Sequence, residues 1–482
     1  MDSLPPEVVH NIFARLDSSG VSTLRLSAQT YADIGAQYLA PRVRFHTSQS
    51  SIDRLQKFTT NSVLRHHVKS LTFEGRVLAQ IFSFDEYASH WDNSEHVEDR
   101  PNSPEPGCSA REERLYQRNL AKFTEEVDTK YLKYHAIRQE QTKLVASSRY
   151  REVISSTIRS FPRLEEIILR NIGQCGHVLS QRMLETMPLD CGMPMSNDTE
   201  NTVEQLNLLL GLKLHLGDTT KGSTEKPVER SATEAVMQIK SLYVHELCPR
   251  FFLQNLQPKI VQVFQCLKKI DLFFRMNAVD RLKHSSDGDL VYSEFKDGAL
   301  RQALAAAHSL EHLCINIEDA GWHTPLFRLS YIVEDHSWPN LESLNVDCFS
   351  VASPSDLLGV LQRQPSLQQL YISLVSLDDG TWEDAIDLMR ENLELNSFLA
   401  HGYLFENATV YNTNDIDVSF YMDEGDEFHM TGALDLYVTD KGYMEDPNGE
   451  TPGFNPLVCL DWEDPDLLKA RLEGEDSEFG SE

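Results

Sequence analysis

Six-residue stretches with apolar side chains at positions one, four and six recur along this chain, and they restrict its fold more than any other feature. The first is Val68-Lys69-Ser70-Leu71-Thr72-Phe73, and copies begin again at Leu164, Ile239, Leu267, Leu310, Leu341 and Leu367. A weaker eighth copy begins at Leu395. Positions four and six point the same way from a short strand, while position one anchors the chain as it turns into that strand. Helical patterns precede the copies, as in Asp356-Leu357-Leu358-Gly359-Val360-Leu361 and Ala299-Leu300-Arg301-Gln302-Ala303-Leu304. A helix followed by a strand and a turn is therefore the predicted unit, and only neighbouring units can bury the apolar face each one leaves.

This pattern resembles a leucine-rich-repeat-like α/β solenoid across residues 151–405. The spacing is irregular, with starts at residues 267, 310, 341 and 367, and the Asn or Cys ladder position of the regular repeat is missing. Closure into a horseshoe is left open, as is an α/β domain without repeats. Residues 46–75 make a first helix-strand unit. Residues 76–150 read as an insertion: a Pro-rich acidic strip from Val97 to Gly107, then a polar, helix-prone stretch with Leu115, Tyr116, Leu120, Phe123, Leu132 and Ile137 as its core candidates. A second insertion, residues 187–228, carries a helical apolar patch around Leu206 to Leu216. In residues 406–482, alternation at Ile416, Val418 and Phe420 and at Leu434, Leu436 and Val438 predicts two appended strands ahead of an acid-rich tail.

The first 45 residues differ from the rest. Pro5 and Pro6 suit a helix's first turn, Glu7 complements its dipole, and Val8, Val9, Ile12, Phe13 and Leu16 form an apolar face. Asp17-Ser18-Ser19-Gly20 breaks that helix, and a second stripe runs through Leu24, Leu26, Tyr31, Ile34 and Leu39 to Pro41. So short a segment cannot bury all this surface internally. Leu4-Pro5-Pro6-Glu7-Val8-Val9 with the following helices resembles an F-box. The resemblance implies docking on the Skp-type adaptor of a cullin-RING ubiquitin ligase through Leu4, Pro5, Glu7, Val8, Ile12, Leu16 and Leu24. Together with the repeat body, it looks like the leucine-rich-repeat F-box proteins that fungi encode in large numbers. The alternative is a helical cap folded back on a repeat scaffold that binds no adaptor.

Charge narrows the partners. The chain has 482 residues, 44 basic and 74 acidic, for a formal charge of -30. A nucleic acid or anionic membrane needs a basic field, so neither is expected, whereas a basic or neutral protein target is. Eight cysteines show no CxxC spacing, which points away from a zinc ribbon or disulfide framework and towards a cytoplasmic or nuclear protein. The opening residues have no secretory pattern, and no apolar run is long enough to span a bilayer.

Motifs for chemistry are scarce. Gly217-Asp218-Thr219-Thr220-Lys221-Gly222-Ser223 has its lysine before the second glycine, unlike a phosphate loop, and His245-Glu246-Leu247-Cys248 has no second histidine at zinc-helix spacing. No nucleophile elbow, kinase signature or dinucleotide fingerprint is present. No cofactor and no catalytic role are expected. Tyr243, Phe273 and Tyr371, with Phe274, Trp322 and Trp338, lie in or near the repeat strands and are the candidate target contacts.

Overall fold

The residues described by the computed structural model are 4–75, 77–78, 80, 83–84, 86–87, 101, 103, 108–170, 200–210, 238–249, 251–252, 258–275, 298–317, 327–333, 335–406, 409–412 and 430–439. Each hexad has become a strand entry. Its first residue is buried in every copy, from Val68 and Leu164 to Leu367 and Leu395, and so are its fourth and sixth, such as Leu344 and Val346 or Leu370 and Ile372. The chain is mixed α/β, with a mostly parallel sheet of eleven strands.

One backbone device recurs at the strand entries. The carbonyl of the second hexad residue accepts two N–H groups from the second and third residues of the next copy, at 2.7 to 3.2 Å. Pro41 serves Lys69 and Ser70, Lys240 serves Lys268 and Lys269, Lys268 serves Glu311 and His312, and Gln368 serves Asn396 and Ser397. Because a slip of one residue would turn every buried side chain to the other face, a repeated clamp at this point holds the register on which the core depends. No Asn or Cys ladder is needed for it.

The chain divides into two compact units, Met1–Arg163 with Leu169–Asn201, and Leu164–Ile168 with Thr202–Glu482. The first unit opens with helices α1 (Pro6–Arg15), α2 (Ser18–Arg25) and α3 (Gln29–Leu39). Strand β1 (Arg42–His46) follows, then α4 (Gln49–Thr60) and β2 (Ser70–Glu74), and β1 pairs with β2 in parallel, Val43 opposite Leu71 and Phe45 opposite Phe73. The two phenylalanine rings stack at 4.3 Å. Strand β1 is a further copy of the hexad, Ala40-Pro41-Arg42-Val43-Arg44-Phe45, hidden from sequence reading because alanine stands at its anchor and arginines flank its apolar pair.

Helix α5 (Ala110–Val145) starts at a Ser109/Glu112 capping box and is followed by α6 (Ser148–Ser160). Of the expected core residues of α5, Phe123 and Ile137 pack, partly buried, against its core cluster. Val127 and Tyr134 are buried with Leu78 and Tyr87, whereas Leu115 and Leu132 face solvent. The buried Gln141 ties the helix down: its Oε1 accepts from Leu78 N–H at 2.9 Å and its Nε2 donates to Thr47 O at 3.2 Å. Strand β3 (Glu166–Arg170) falls across the division between the units.

The second unit carries all but the first two residues of α7 (Glu200–Leu209), then β4 (Ser241–Leu247), α8 (Pro258–Gln265), β5 (Lys269–Phe274), α9 (Ala299–Ala305), β6 (His312–Ile317), β7 (Ser343–Asp347) and β8 (Ser350–Val351). It continues with α10 (Pro354–Gln362), β9 (Gln369–Leu377), α11 (Trp382–Asn392), β10 (Ser397–Glu406), β11 (Thr409–Asn412) and α12 (Met430–Thr439). Its strands run in the order β4-β5-β6-β7-β9-β10-β11, with β8 beside β9, and only β11 is antiparallel. Residues at the same hexad position stand opposite one another, so Leu242, Ile270, Leu313, Leu344, Leu370 and Phe398 form one buried row. Trp338 is fully buried, donating from Nε1 to Leu304 O at 3.1 Å and from its backbone to Gln364 Oε1 at 2.9 Å.

The C-terminal expectation needs correction. Leu434, Leu436 and Val438 belong to helix α12 and not to a strand; their alternation overlaps a helical stripe in which Leu434, Tyr437 and Val438 are buried. Asp435 accepts a hydrogen bond from Phe398 N–H at 2.6 Å, so the helix covers the part of the β10 edge that β11 leaves unpaired. Ile416, Val418, Phe420 and the acidic tail lie outside the described residues, as do Trp322, the strip Val97–Gly107 apart from two residues, and most of the insertion at 187–228. In that insertion α7 starts earlier than expected, and Leu206 and Leu209 are buried.

Candidate functional site

The first three helices bury one face of α1 and leave another open. Val9, Phe13, Val21 and Tyr31 form their core, with Leu24, Ile34, Tyr38 and Leu39 packed against it. Phe13 stacks on Tyr38 at 5.8 Å and meets Tyr31 edge-on. Gly35 lets α3 come close: a Cβ there would stand 2.4 Å from Arg25 Cγ and 2.8 Å from Phe13 Cε1. His10 Nδ1 lies 2.7 Å from Gln37 Nε2 and 3.0 Å from Tyr38 Oη, tying α1 to α3. Asp17, expected to break the helix, caps α2 by accepting from Gly20 N–H at 2.8 Å.

The single apolar face expected of α1 is thus split in two. Val9 and Phe13 turn inward, while Leu4, Val8, Ile12 and Leu16 are 41%, 41%, 37% and 38% exposed, and Leu26 is 89% exposed. Val8 and Ile12, four apart, lie along one side of α1, and the exposed Leu4 and Leu16 flank the helix just before its start and just after its end. Pro5 and Glu7 are exposed at its start. Leu24, also expected to contact the adaptor, is half-buried and packs against this core.

The second candidate surface is the sheet face opposite the buried rows. Positions three, five and seven of the hexads alternate with the buried residues and are half-buried or exposed from β4 to β10, apart from the buried Ser373. One row across the strands reads Tyr243, Asp271, Cys314, Asn345, Tyr371 and Leu399, and the next reads Phe273, Asn316, Asp347, Ser373 and His401. A parallel sheet usually has apolar side chains on both faces because helices cover both. Here the second face carries serine, asparagine, histidine and tyrosine, a mixture suited to contacting another polypeptide.

Of the expected target contacts, Tyr243 and Tyr371 share the first row with three strands between them, and Phe273 stands in the second. Phe274 and Trp338 are core residues, not contacts, since Phe274 alternates to the buried side and Trp338 has both its donors satisfied inside. Burial raises the Tyr243 and Tyr371 hydroxyls, with Glu166 and Asp271 adding to the first and Asp347 and Cys314 to the second. Burial also pushes the Asp347 carboxyl up to about 6, against the Ser373 hydroxyl and the charge of His401, which act the other way. Cys314 is raised by burial and by Asp271, so its thiol stays protonated. Nothing in its sequence context singled out Asp347; only the register shows that it shares a row with Asn316, Ser373 and His401.

Among the described residues no group of three His, Cys, Asp or Glu could hold a metal ion, and no helix is long and apolar enough to cross a membrane. Cys108, Cys248, Cys266, Cys314 and Cys348 carry reduced thiols. No family model matches this chain, and no curated protein matches it either.

Proposed function

We propose that this chain is a substrate-recognition subunit of a cullin-RING ubiquitin ligase, docking on a Skp-type adaptor through its first helices and holding a target protein on the polar sheet face of a leucine-rich-repeat-like solenoid. The chain works in the cytoplasm or nucleus and makes no bonds itself; other subunits transfer ubiquitin. The observation that carries this reading is the outward stripe Leu4, Val8, Ile12 and Leu16 on a module whose inner face is already filled by Val9 and Phe13. A cap folded on its own body would spend those side chains internally. Covering them on a partner is worth roughly 1 kcal/mol apiece, enough to matter against the cost of association.

The test is capture of purified Skp-type adaptor by the full chain, measured by calorimetry. Val8→Asp with Ile12→Asp should weaken it by at least ~100-fold, since each change places a charge where an apolar contact stood. Lys57→Glu, on α4, should leave it unchanged. Absence of capture by the unaltered chain would return the N-terminal helices to the role of a cap on a repeat scaffold.

A further inference from the structure

We infer that the open sheet face holds an arginine side chain of the bound polypeptide, in the cluster around Cys314 between Asp271 and Asp347. This rests on the target-holding half of the proposed function and uses no residue of the N-terminal helices. The cluster is set by register: Asp271, Cys314, Asn345 and Tyr371 are successive in one row, and Asn316 and Asp347 adjoin them in the next. Asn345 Oδ1 and Asp347 Oδ1 are both closed off from solvent and meet no hydrogen-bond donor. Asn316 Oδ1 meets the weak thiol of Cys314, at 3.7 Å. Two buried acceptor atoms there therefore lack a donor, although the Asp347 carboxylate also accepts from the Ser373 hydroxyl and the Cys348 N–H, and an unpaired buried acceptor is costly to keep.

A ligand that repairs this must bring N–H groups and positive charge. An anion would face two carboxylates, and the cluster lacks the three ligands a metal ion needs. Arginine presents five N–H groups in one plane and stacks on aromatic rings, and the half-buried Tyr371 supplies such a ring beside Asn345. Asp271 and Asp347 lie two strands and one row apart, about 12 Å at the backbone, a gap that two aspartate side chains and one guanidinium bridge. A chain of net charge -30 attracts a basic segment from a distance as well.

The experiment uses the full chain and two fluorescein-labelled peptides. One carries a single arginine between two tetraglycine arms, and the other carries citrulline in its place, which keeps the shape and loses the charge. Anisotropy should show the arginine peptide binding at least ~10-fold more tightly than the citrulline one, and Asp347→Asn and Asn345→Leu should each weaken it ~10-fold. Asp379→Asn, an exposed acid outside the two rows, should not. Equal binding of the two peptides, no binding of the arginine peptide, indifference to Asp347→Asn, or an equal effect of Asp379→Asn would each overturn the inference. Adaptor capture measured on the same preparations separates the two claims: a chain that captures adaptor but ignores the arginine peptide refutes only this one.

Discussion

Asp347 is a carboxyl that the fold holds at a disadvantage. Its proton is held more tightly in the folded chain than in the unfolded one, because burial penalises the charge and raises the carboxyl to about 6. Folding stability tied to this group therefore rises as pH falls through about 6 towards the ordinary carboxylate range, and above 6 the buried charge costs about 3 kcal/mol. Asp347→Asn should accordingly stabilise the protein by up to about 3 kcal/mol at pH 7.5, with the gain disappearing near pH 4. Urea denaturation of both proteins across that range checks this; a variant less stable at pH 7.5 would show that the carboxylate is a structural asset. Gly35 offers the opposite case. Gly35→Ala should lower stability by about 1 to 3 kcal/mol, because the added Cβ meets Phe13, which is wedged between Tyr31 and Tyr38 and cannot give way as Arg25 can.

At the scale of elements, the strands and the helices were not equally legible. The hexads announced eight strand entries because alternation forces positions four and six to one side whatever the surroundings. Strand β1 is hard to read from sequence because its anchor is Ala40, which leaves too little apolar signal, and α12 mimics a strand because three alternating apolar residues in ten fit either period. Helix α1 was found but its faces were merged, since Val8 and Val9 are neighbours in sequence and point to different sides of the helix. The strand clamp suggests a contrast between adjacent residues of β7. Leu344→Ala should cost about 2 to 5 kcal/mol as a buried truncation, whereas Asn345→Ser, on the open face, should change stability by under about 1 kcal/mol. Thermal denaturation of the two variants checks both, and similar losses would mean that the second face is packed as tightly as the first.

At the scale of the whole molecule, the two candidate surfaces lie in different compact units and share no residue. Deleting residues 1–40 should therefore abolish adaptor capture while leaving arginine-peptide binding within about twofold, as expected for sites with no shared residues; a large loss of peptide binding in a deletion that still unfolds cooperatively would show the units to be coupled. Sequence alone determined the alternation of helix and strand, the buried rows and the presence of surplus apolar surface at the N-terminus, because periodicity is a local property of the chain. Tertiary structure decided which side chains of α1 face outward, that Phe274 and Trp338 serve the interior, and that Asp271, Cys314, Asn345 and Asp347 fall in adjoining rows. Those outcomes depend on which residues, tens of positions apart, come to stand opposite one another, and pairing across strands and helices is settled only when the whole core packs.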